Sequence, residues 1–426
     1  MSRLPRGGVF LRLLHTSDWH LGRPLEGRSR QQEQEQFVDE ICAIANQQAV
    51  QLVIIAGDIF DTYNPPAWAE QLFCDALDRL ALGGKRAVAV IAGNHDSPDR
   101  LSAVRPLAQN QGIVILGLPQ EAPELAQRQN SERVRTVAQG VGWVELALPD
   151  CEHTAVLSLL PYPSESRLGR QLSVPLEEYS LRDAYSEVVN EIFQAQAANY
   201  RPGTVNIAVS HLFVQGSMSS ESERPIEIGG ACTVAVEHLP AGAQYIALGH
   251  LHRPQQVKQS IAPAYYSGSP LAYSFSEANH SKAVYLVDVV PGQAAEVKPC
   301  PLSAGIPLQR WICSGGLAEV EQRIEAAQGK PAWVDLEVHV PEWLSNEAVA
   351  RLRQAWPWLV NIRSVLPQEA TRQRSERLSS LALPEIFNRF YQRRRNGGTP
   401  PQELVELFVD LANTVAQQGG EGVDNA

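Results

Sequence analysis

Eight side chains able to bind a metal or move a proton close five short apolar runs of this 426-residue chain: Asp18, His20, Asp58, Asn94, His95, His211, His250 and His252. The runs are FLRLLHTSDWH (10–20), QLVIIAGDIFD (51–61), AVAVIAGNHD (87–96), VNIAVSH (205–211) and QYIALGHLH (244–252). Asp, Asn and His are hard or borderline ligands that suit manganese, iron, magnesium or zinc rather than copper or iron–sulfur clusters. Singly each piece is weak, since most aspartates after a glycine only cap a turn. Together they are not, because six of the ten histidines (His15, His20, His95, His211, His250, His252) gather in these turns. Asp18, His20, Asp58, Asn94, His211, His250 and His252 are too many for one ion that keeps a position open. They suit two ions sharing a carboxylate, with Asp58, after the central run, as the bridge. Two ions about 3.5–4 Å apart lower the pKa of a bridging water from about 15.7 toward 7 and clamp the attacking and leaving oxygens at phosphorus. Phosphoester hydrolysis is the chemistry this donor set serves best.

Near-continuous aliphatic runs of this length, separated by helix-compatible stretches at Gln34–Gln48 and Ala67–Leu82, predict buried strands of an α/β sheet. Ligands bind beyond the carboxyl ends of such strands. The eight side chains are therefore expected at one sheet edge. Gly57, Gly93 and Gly249 are expected to let the backbone turn sharply there.

The length implies two or three domains. With 44% hydrophobic and 19% charged residues, disorder and coiled coil are excluded for the whole. A net charge of −11 argues against a generic electrostatic binder of nucleic acid or anionic membranes. Six scattered cysteines without CxxC spacing read as reduced structural thiols. The N-terminus lacks a cleavable signal, and no stretch approaches the roughly 18 apolar residues of a membrane span, so a cytoplasmic location is expected. After about residue 300 the pattern changes to a small α+β unit. From Arg372 to Arg395 the chain is basic, and two amphipathic helices are predicted, Pro384–Arg395 and Pro400–Gln417, with Thr399 as N-cap of the second. No GxxxxGK[ST] motif occurs, so any ATP dependence belongs to a partner.

HTSDWH, GDIFD, GNHD, SH and GHLH resemble, in order, the five blocks of the calcineurin-like binuclear metallophosphoesterases, over about the first 290 residues. HTSDWHLGR (15–23), AGNHDSP (92–98), SERPIEIGG (222–230), IALGHLHRPQ (246–255) and YYSGSPLAYSFSEA (265–278) are similar to one branch of that family, the nuclease subunits of bacterial complexes that process DNA ends with an ATPase partner. The resemblance implies an α/β fold: a metallophosphoesterase β-sandwich flanked by helices (1–300), a small α+β capping domain that contacts DNA (301–371) and a helical segment that docks on the ATPase subunit (372–417); the last residues (418–426), read by their own composition, are expected to be a disordered tail. It implies that Asp18, His20, Asp58 and His252 hold one manganese and Asp58, Asn94, His211 and His250 the other, with manganese favoured over magnesium. His95 is then no ligand but the group that stabilises the transition state or protonates the leaving 3′ oxygen, a role suited to imidazole. Asp96 either orients His95 or caps a helix. His15 is expected to be structural, and Asp61 a turn or supporting group. Implied with these are a manganese-dependent exonuclease and endonuclease acting on double-stranded DNA ends and hairpins, a homodimer through the nuclease domain, and a heterotetramer with the ATPase. Arg23, Arg28 and Arg30 stand as either phosphate contacts or solvated arginines. A phosphatase of the same family, a cyclic-nucleotide phosphodiesterase and a non-catalytic scaffold remain as alternatives.

Overall fold

Leu52, Ile54 and Ala56 pack into one hydrophobic cluster while Val53 and Ile55 pack into another, because successive side chains on a strand point to opposite faces. This strand, β2 (Leu52–Ala56), thus separates two layers. The computed structural model describes residues 10–125, 130–169, 178–220, 222–223, 233–366, 382–394 and 400–420. In it β2 lies in a six-stranded sheet running β15 (Glu296–Pro301), β14 (Ala283–Val289), β1 (Leu11–Thr16), β2, β3 (Ala87–Ile91), β4 (Ile113–Leu116). A seven-stranded sheet runs β12 (Gln255–Gln256), β13 (Ala264–Tyr266), β11 (Tyr245–Gly249), β8 (Val205–His211), β7 (Thr154–Leu160), β6 (Trp143–Ala147), β5 (Arg135–Gly140). Leu11, Ile54 and Ile91 of the first meet Leu157, Val209 and Tyr245 of the second in a shared core. On the outer face of the first sheet lie α1 (Gln31–Gln47), through Phe37 and Ile41, and α2 (Ala67–Ala81), through Phe73 and Leu77. Tyr185, Val189 and Phe193 of α6 (Glu178–Ala197) cover the second sheet. The result is the expected sandwich flanked by helices.

β1 to β4 are mutually parallel, which requires crossovers such as α1 and α2 between them. β7, β8, β11 and β13 are parallel as well. One expectation is corrected here. The five runs do not share one sheet: β1, β2 and β3 belong to the first, β8 and β11 to the second, and the edge that gathers their ends is the rim where the two sheets face each other. Smaller elements complete the unit: α3 (Pro98–Ser102), whose N-cap Ser97 accepts from the Arg100 amide with Pro98 in the first turn, α4 (Arg105–Ala108), α5 (Glu165–Leu168), and a two-residue pair of β9 (Phe213–Val214) with β10 (Thr233–Val234).

The chain divides into a unit of residues 1–310 with 329–335 and a unit of 311–328 with 336–426. The boundary falls inside β16 (Leu308–Cys313) and β17 (Trp333–His339), which with β18 (Leu359–Val365) form a three-stranded sheet. The second unit carries α7 (Leu317–Ala326) and α8 (Asn346–Ala355), and Trp311 packs on Trp356 at 5.8 Å. The two C-terminal helices are α9 (Leu383–Arg394) and α10 (Gln402–Gly420), joined by a Phe387–Phe408 stack at 4.4 Å. The second starts two residues later than expected, leaving Pro400 before its first turn, and it runs through 418–420, residues expected in the tail. Thr399, the basic stretch 372–381 and residues 421–426 lie outside the described residues. Cys42, Cys74, Cys151, Cys300 and Cys313 are free thiols. Among the described residues no helix is long and apolar enough to cross a membrane.

Candidate metal centre

Strand ends set the positions of all eight side chains, and the backbone there is unusual. Among the described residues eight non-glycine positions have positive φ, and four of them are Asp18 (53°), His20 (44°), Asp58 (50°) and His250 (104°). Such conformations cost free energy and persist where surrounding structure over-determines them. Here that structure is a mesh of main-chain bonds: the Asp18 amide donates to Gly57 O (2.9 Å) and the His20 amide to Asp58 O (3.0 Å), while the His250 amide donates to Asp18 Oδ1 (2.9 Å). Gly57 turns with φ +89° as expected, but Gly93 and Gly249 serve another purpose. A Cβ on Gly93 would fall 2.1 Å from Asp58 Oδ1, and one on Gly249 1.9 Å from Ala56 O. Their requirement is close approach, not a sharp turn.

The seven expected ligands come together. His20 Nε2 lies 2.9 Å from His252 Nε2 and 3.6 Å from Asp58 Oδ2. His211 Nε2 lies 3.4 Å from Asp58 Oδ2 and 3.0 Å from Asn94 Oδ1, and His250 Nδ1 is 3.1 Å from the same Asn94 oxygen. Asp18 stands between the groups, with His20 and His252 on one side and Asp58 and His211 on the other. The donor chemistry fits divalent ions. His211 Nδ1 bonds to the Ala56 carbonyl (2.8 Å), so that nitrogen carries the hydrogen and a neutral ring turns its Nε2 lone pair toward two oxygen acceptors. Lone pairs converge stably only around a proton or a cation. In the metal-free chain the proton serves: burial lowers the His211 pKa, but Asp58 and Asp18 outweigh it and push the ring up to about 9. At Asp58 burial is overcome in turn by His211 and His95, which hold its carboxyl well below the usual range. Burial pushes Asp18 up to about 6 and His250 down to about 3.

His95 lies at the same rim, its ring edge-on to His20 at 4.7 Å, its amide donating to Asp58 Oδ1 (2.8 Å). A ring bond of His95 runs to the Asp61 carbonyl, Nδ1 to O at 2.6 Å. Asp96 differs from both expected roles. Its buried carboxylate accepts from the amides of Ile59 (3.1 Å), Phe60 (2.9 Å) and Gly93 (2.8 Å), fastening the GDIF turn to the GNHD turn, and the helix cap is Ser97. Asp61 is the supporting group instead: its Oδ1 lies 3.6 Å from His20 Nδ1 and 4.0 Å from His95 Nδ1. His15 is structural as expected, buried between the sheets against Tyr245 Oη (2.8 Å).

Arg30 is a second correction. It is buried, forks onto Glu33 (2.5 and 2.8 Å) and donates to Ala272 O (3.0 Å), so it offers nothing to a phosphate. Arg23 is half-buried over the Tyr273 ring and donates to Ser222 O (2.7 Å); Arg28 is exposed. Sequence reasoning missed Arg167, a buried guanidinium that donates to Gly93 O and Asp96 O, both at 2.7 Å, and lies over Tyr162, which stacks on His250. No local signal marks it: an Arg in a Ser-rich turn looks solvated, and its partners lie more than seventy residues away.

Residues 11–254 match the calcineurin-like phosphoesterase family model. The chain belongs to the calcineurin-like phosphoesterases. That family implies divalent metal ions, which is what the donor set of this phosphoesterase fits. Residues 305–395 match a second model, described as the type 5 capsule protein repressor C-terminal domain. The phosphoesterase is 42% identical over 96% of its length to the SbcD subunit of the nuclease SbcCD from Bacillus subtilis, covering 99% of that protein. It is 28% identical to the Escherichia coli K12 protein of the same name, over 95% of this chain and 99% of that one. The Rhodobacter capsulatus counterpart is 31% identical over 72% of each chain.

Proposed function

We propose that this chain is the nuclease subunit of an SbcCD-type complex and hydrolyses phosphodiester bonds of DNA. The carrying observation is the donor set itself, two carboxylates, four imidazoles and an amide oxygen converging from five strand ends of two sheets. Asp18, His20, Asp58 and His252 are the residues to hold one divalent ion; Asp58, Asn94, His211 and His250 hold the second. Manganese is the favoured ion. When bound, such ions neutralise the phosphate charge and lower the pKa of water. The chain supplies the rest: the Asp61 carbonyl holds the His95 ring through its Nδ1–H, so in the doubly protonated ring the second hydrogen is on Nε2, which gives it to the leaving oxygen. Asp96 and Arg167 hold the turn that carries Asn94 and His95. With SbcC and ATP the protein is a 3′–5′ exonuclease on double-stranded ends and an endonuclease on hairpins, acting in DNA replication, recombination and repair in the cytoplasm. α9 and α10 dock on SbcC, and two nuclease domains pair in a heterotetramer. An acidic chain alone grips DNA weakly and in a salt-sensitive way, so the partner and dimerisation supply the grip.

The test is cleavage of blunt duplex and hairpin DNA in manganese, with and without SbcC and ATP, by the parent chain and by Asp58→Ala and His95→Ala. Cuts at the duplex end and near the hairpin tip, abolished in both variants, are expected. Hydrolysis of p-nitrophenyl phosphate with intact DNA would instead make the chain a phosphatase, and full cleavage by either variant would remove the site assignment.

A further inference from the structure

Behind His252 lies a buried chain of polar groups that the metal chemistry does not use directly. His252 Nδ1 is 2.5 Å from Ser222 Oγ, Ser222 Oγ donates to Glu277 Oε1 at 2.5 Å, and Glu277 Oε2 is paired with Lys282 Nζ. Lys282 donates as well to the His252 carbonyl (2.9 Å) and to Ser269 Oγ (2.9 Å). The His252 amide is taken by Glu223 Oε1 (2.7 Å). Ser222, Glu277, Lys282 and His252 are all nine-tenths or more buried, so each polar atom must be satisfied within the protein.

Hydrogen counting gives this chain a direction. A carboxylate only accepts, so the single hydroxyl proton of Ser222 goes to Glu277, whose charge Lys282 balances. The Ser222 oxygen then accepts, and the hydrogen facing it must sit on His252 Nδ1. That leaves the lone pair of the neutral ring on Nε2, the atom 2.9 Å from His20 Nε2 at the metal centre. We propose that Ser222, Glu277 and Lys282 form a positioning relay that fixes the tautomer and rotation of His252 for metal binding, and so controls one of the two ion sites selectively. The inference rests on the binuclear reading above. It also gives a physical role to SERPIEIGG and YYSGSPLAYSFSEA, two segments remote in sequence from the metal turns: the first supplies Ser222 and Glu223, the second Ser269 and Glu277.

Manganese titration of the full chain by calorimetry, paired with thermal unfolding of the metal-free protein, tests it. Ser222→Ala is expected to weaken one site about 10–100-fold and leave the other within about threefold, and to lower the metal-free melting temperature as well, because it leaves the buried His252 Nδ1–H and Glu277 Oε1 each short of a partner. Ser222→Thr restores the hydroxyl and is expected to restore the site. Parent-like binding at both sites in Ser222→Ala would overturn the relay. Equal weakening of both sites would do so too, since a merely structural residue has no reason to act on one ion site and spare the other. Asp58→Ala separates the levels: loss of metal in Asp58→Ala beside normal Ser222→Ala sinks the relay alone, whereas two intact sites in Asp58→Ala sink the binuclear reading itself.

Discussion

The Nδ1 of His95 sits 2.6 Å from the main-chain oxygen of Asp61, so the GNHD turn borrows a carbonyl from the GDIFD turn to hold its histidine. A carbonyl accepts, which puts the ring hydrogen on Nδ1 and leaves Nε2 as the atom available for proton transfer. His95→Ala removes that atom without removing any of the seven proposed ligands. Cleavage is expected to fall about 10²–10⁴-fold, with manganese stoichiometry unchanged in calorimetry. A parallel loss of metal would make His95 part of the ligand set instead.

Asp96 gives a prediction about stability. Its two oxygens serve three amides of two turns, and an asparagine would oppose at least one amide with its own NH2. Asp96→Asn is therefore expected to cost about 1–3 kcal/mol, read by urea unfolding of the metal-free chain. An unchanged midpoint would contradict the stapling role.

How much of this was legible in sequence differs between residues for physical reasons. β1, β2, β3, β8 and β11 announce themselves, because a strand buried on both faces must be a continuous apolar run and its polar stop marks the rim. α1 and α2 lie within three residues of their expected bounds for a similar reason, their apolar spacing being local. Strand partners are not local. Nothing in VNIAVSH says that it lies beside QYIALGH in a second sheet rather than beside QLVIIAG. Side-chain roles that depend on distant partners were equally hidden: Arg30 reads as a solvated arginine until Ala272 O is brought to it, and Asp96 reads as a cap or an orienting carboxylate until the Ile59 and Phe60 amides arrive.

Metal binding should release protons. At pH 7.5 the His211 ring, raised to about 9 beside Asp58, carries a proton on the nitrogen that a divalent ion needs. Binding must displace it, so about one proton is expected to leave, and affinity should rise about tenfold per pH unit up to about pH 9. Calorimetry of manganese binding in buffers of different ionisation enthalpy measures this directly. Heats independent of buffer would mean that His211 is not a ligand.

The buried histidines set the acid limit of the metal-free fold. Burial pushes His15 and His250 down to about 3 and holds His20 well below its ordinary value, while unfolded histidines titrate near 6.5. Below 6.5 the unfolded chain binds more protons, so the stability these three contribute is full above that pH and is lost as pH falls. Asp18 and Asp96, raised to about 6 by burial, act oppositely between about pH 3.9 and 6, and His211 adds slightly on their side. Three groups against two make the metal-free fold less stable at pH 5 than at pH 7. Urea unfolding with a chelator at the two pH values checks it; greater stability at pH 5 would refute the neutral-histidine picture.

At the other end of the chain, α10 divides its apolar residues between two tasks. Phe408 stacks on Phe387 of α9, whereas Leu404, Leu407 and Leu411 on the same helix stay 38%, 55% and 59% exposed. Spaced three and four residues apart, they line one stripe, and burying a leucine side chain contributes about 1.5–3 kcal/mol. If this stripe is the SbcC contact, Leu407→Glu with Leu411→Glu should weaken SbcC binding at least about 100-fold. Cleavage of simple duplex ends by the chain alone should be unaffected, because neither leucine lies in the unit that carries the metal centre. Undiminished binding by the double variant would move the docking surface elsewhere.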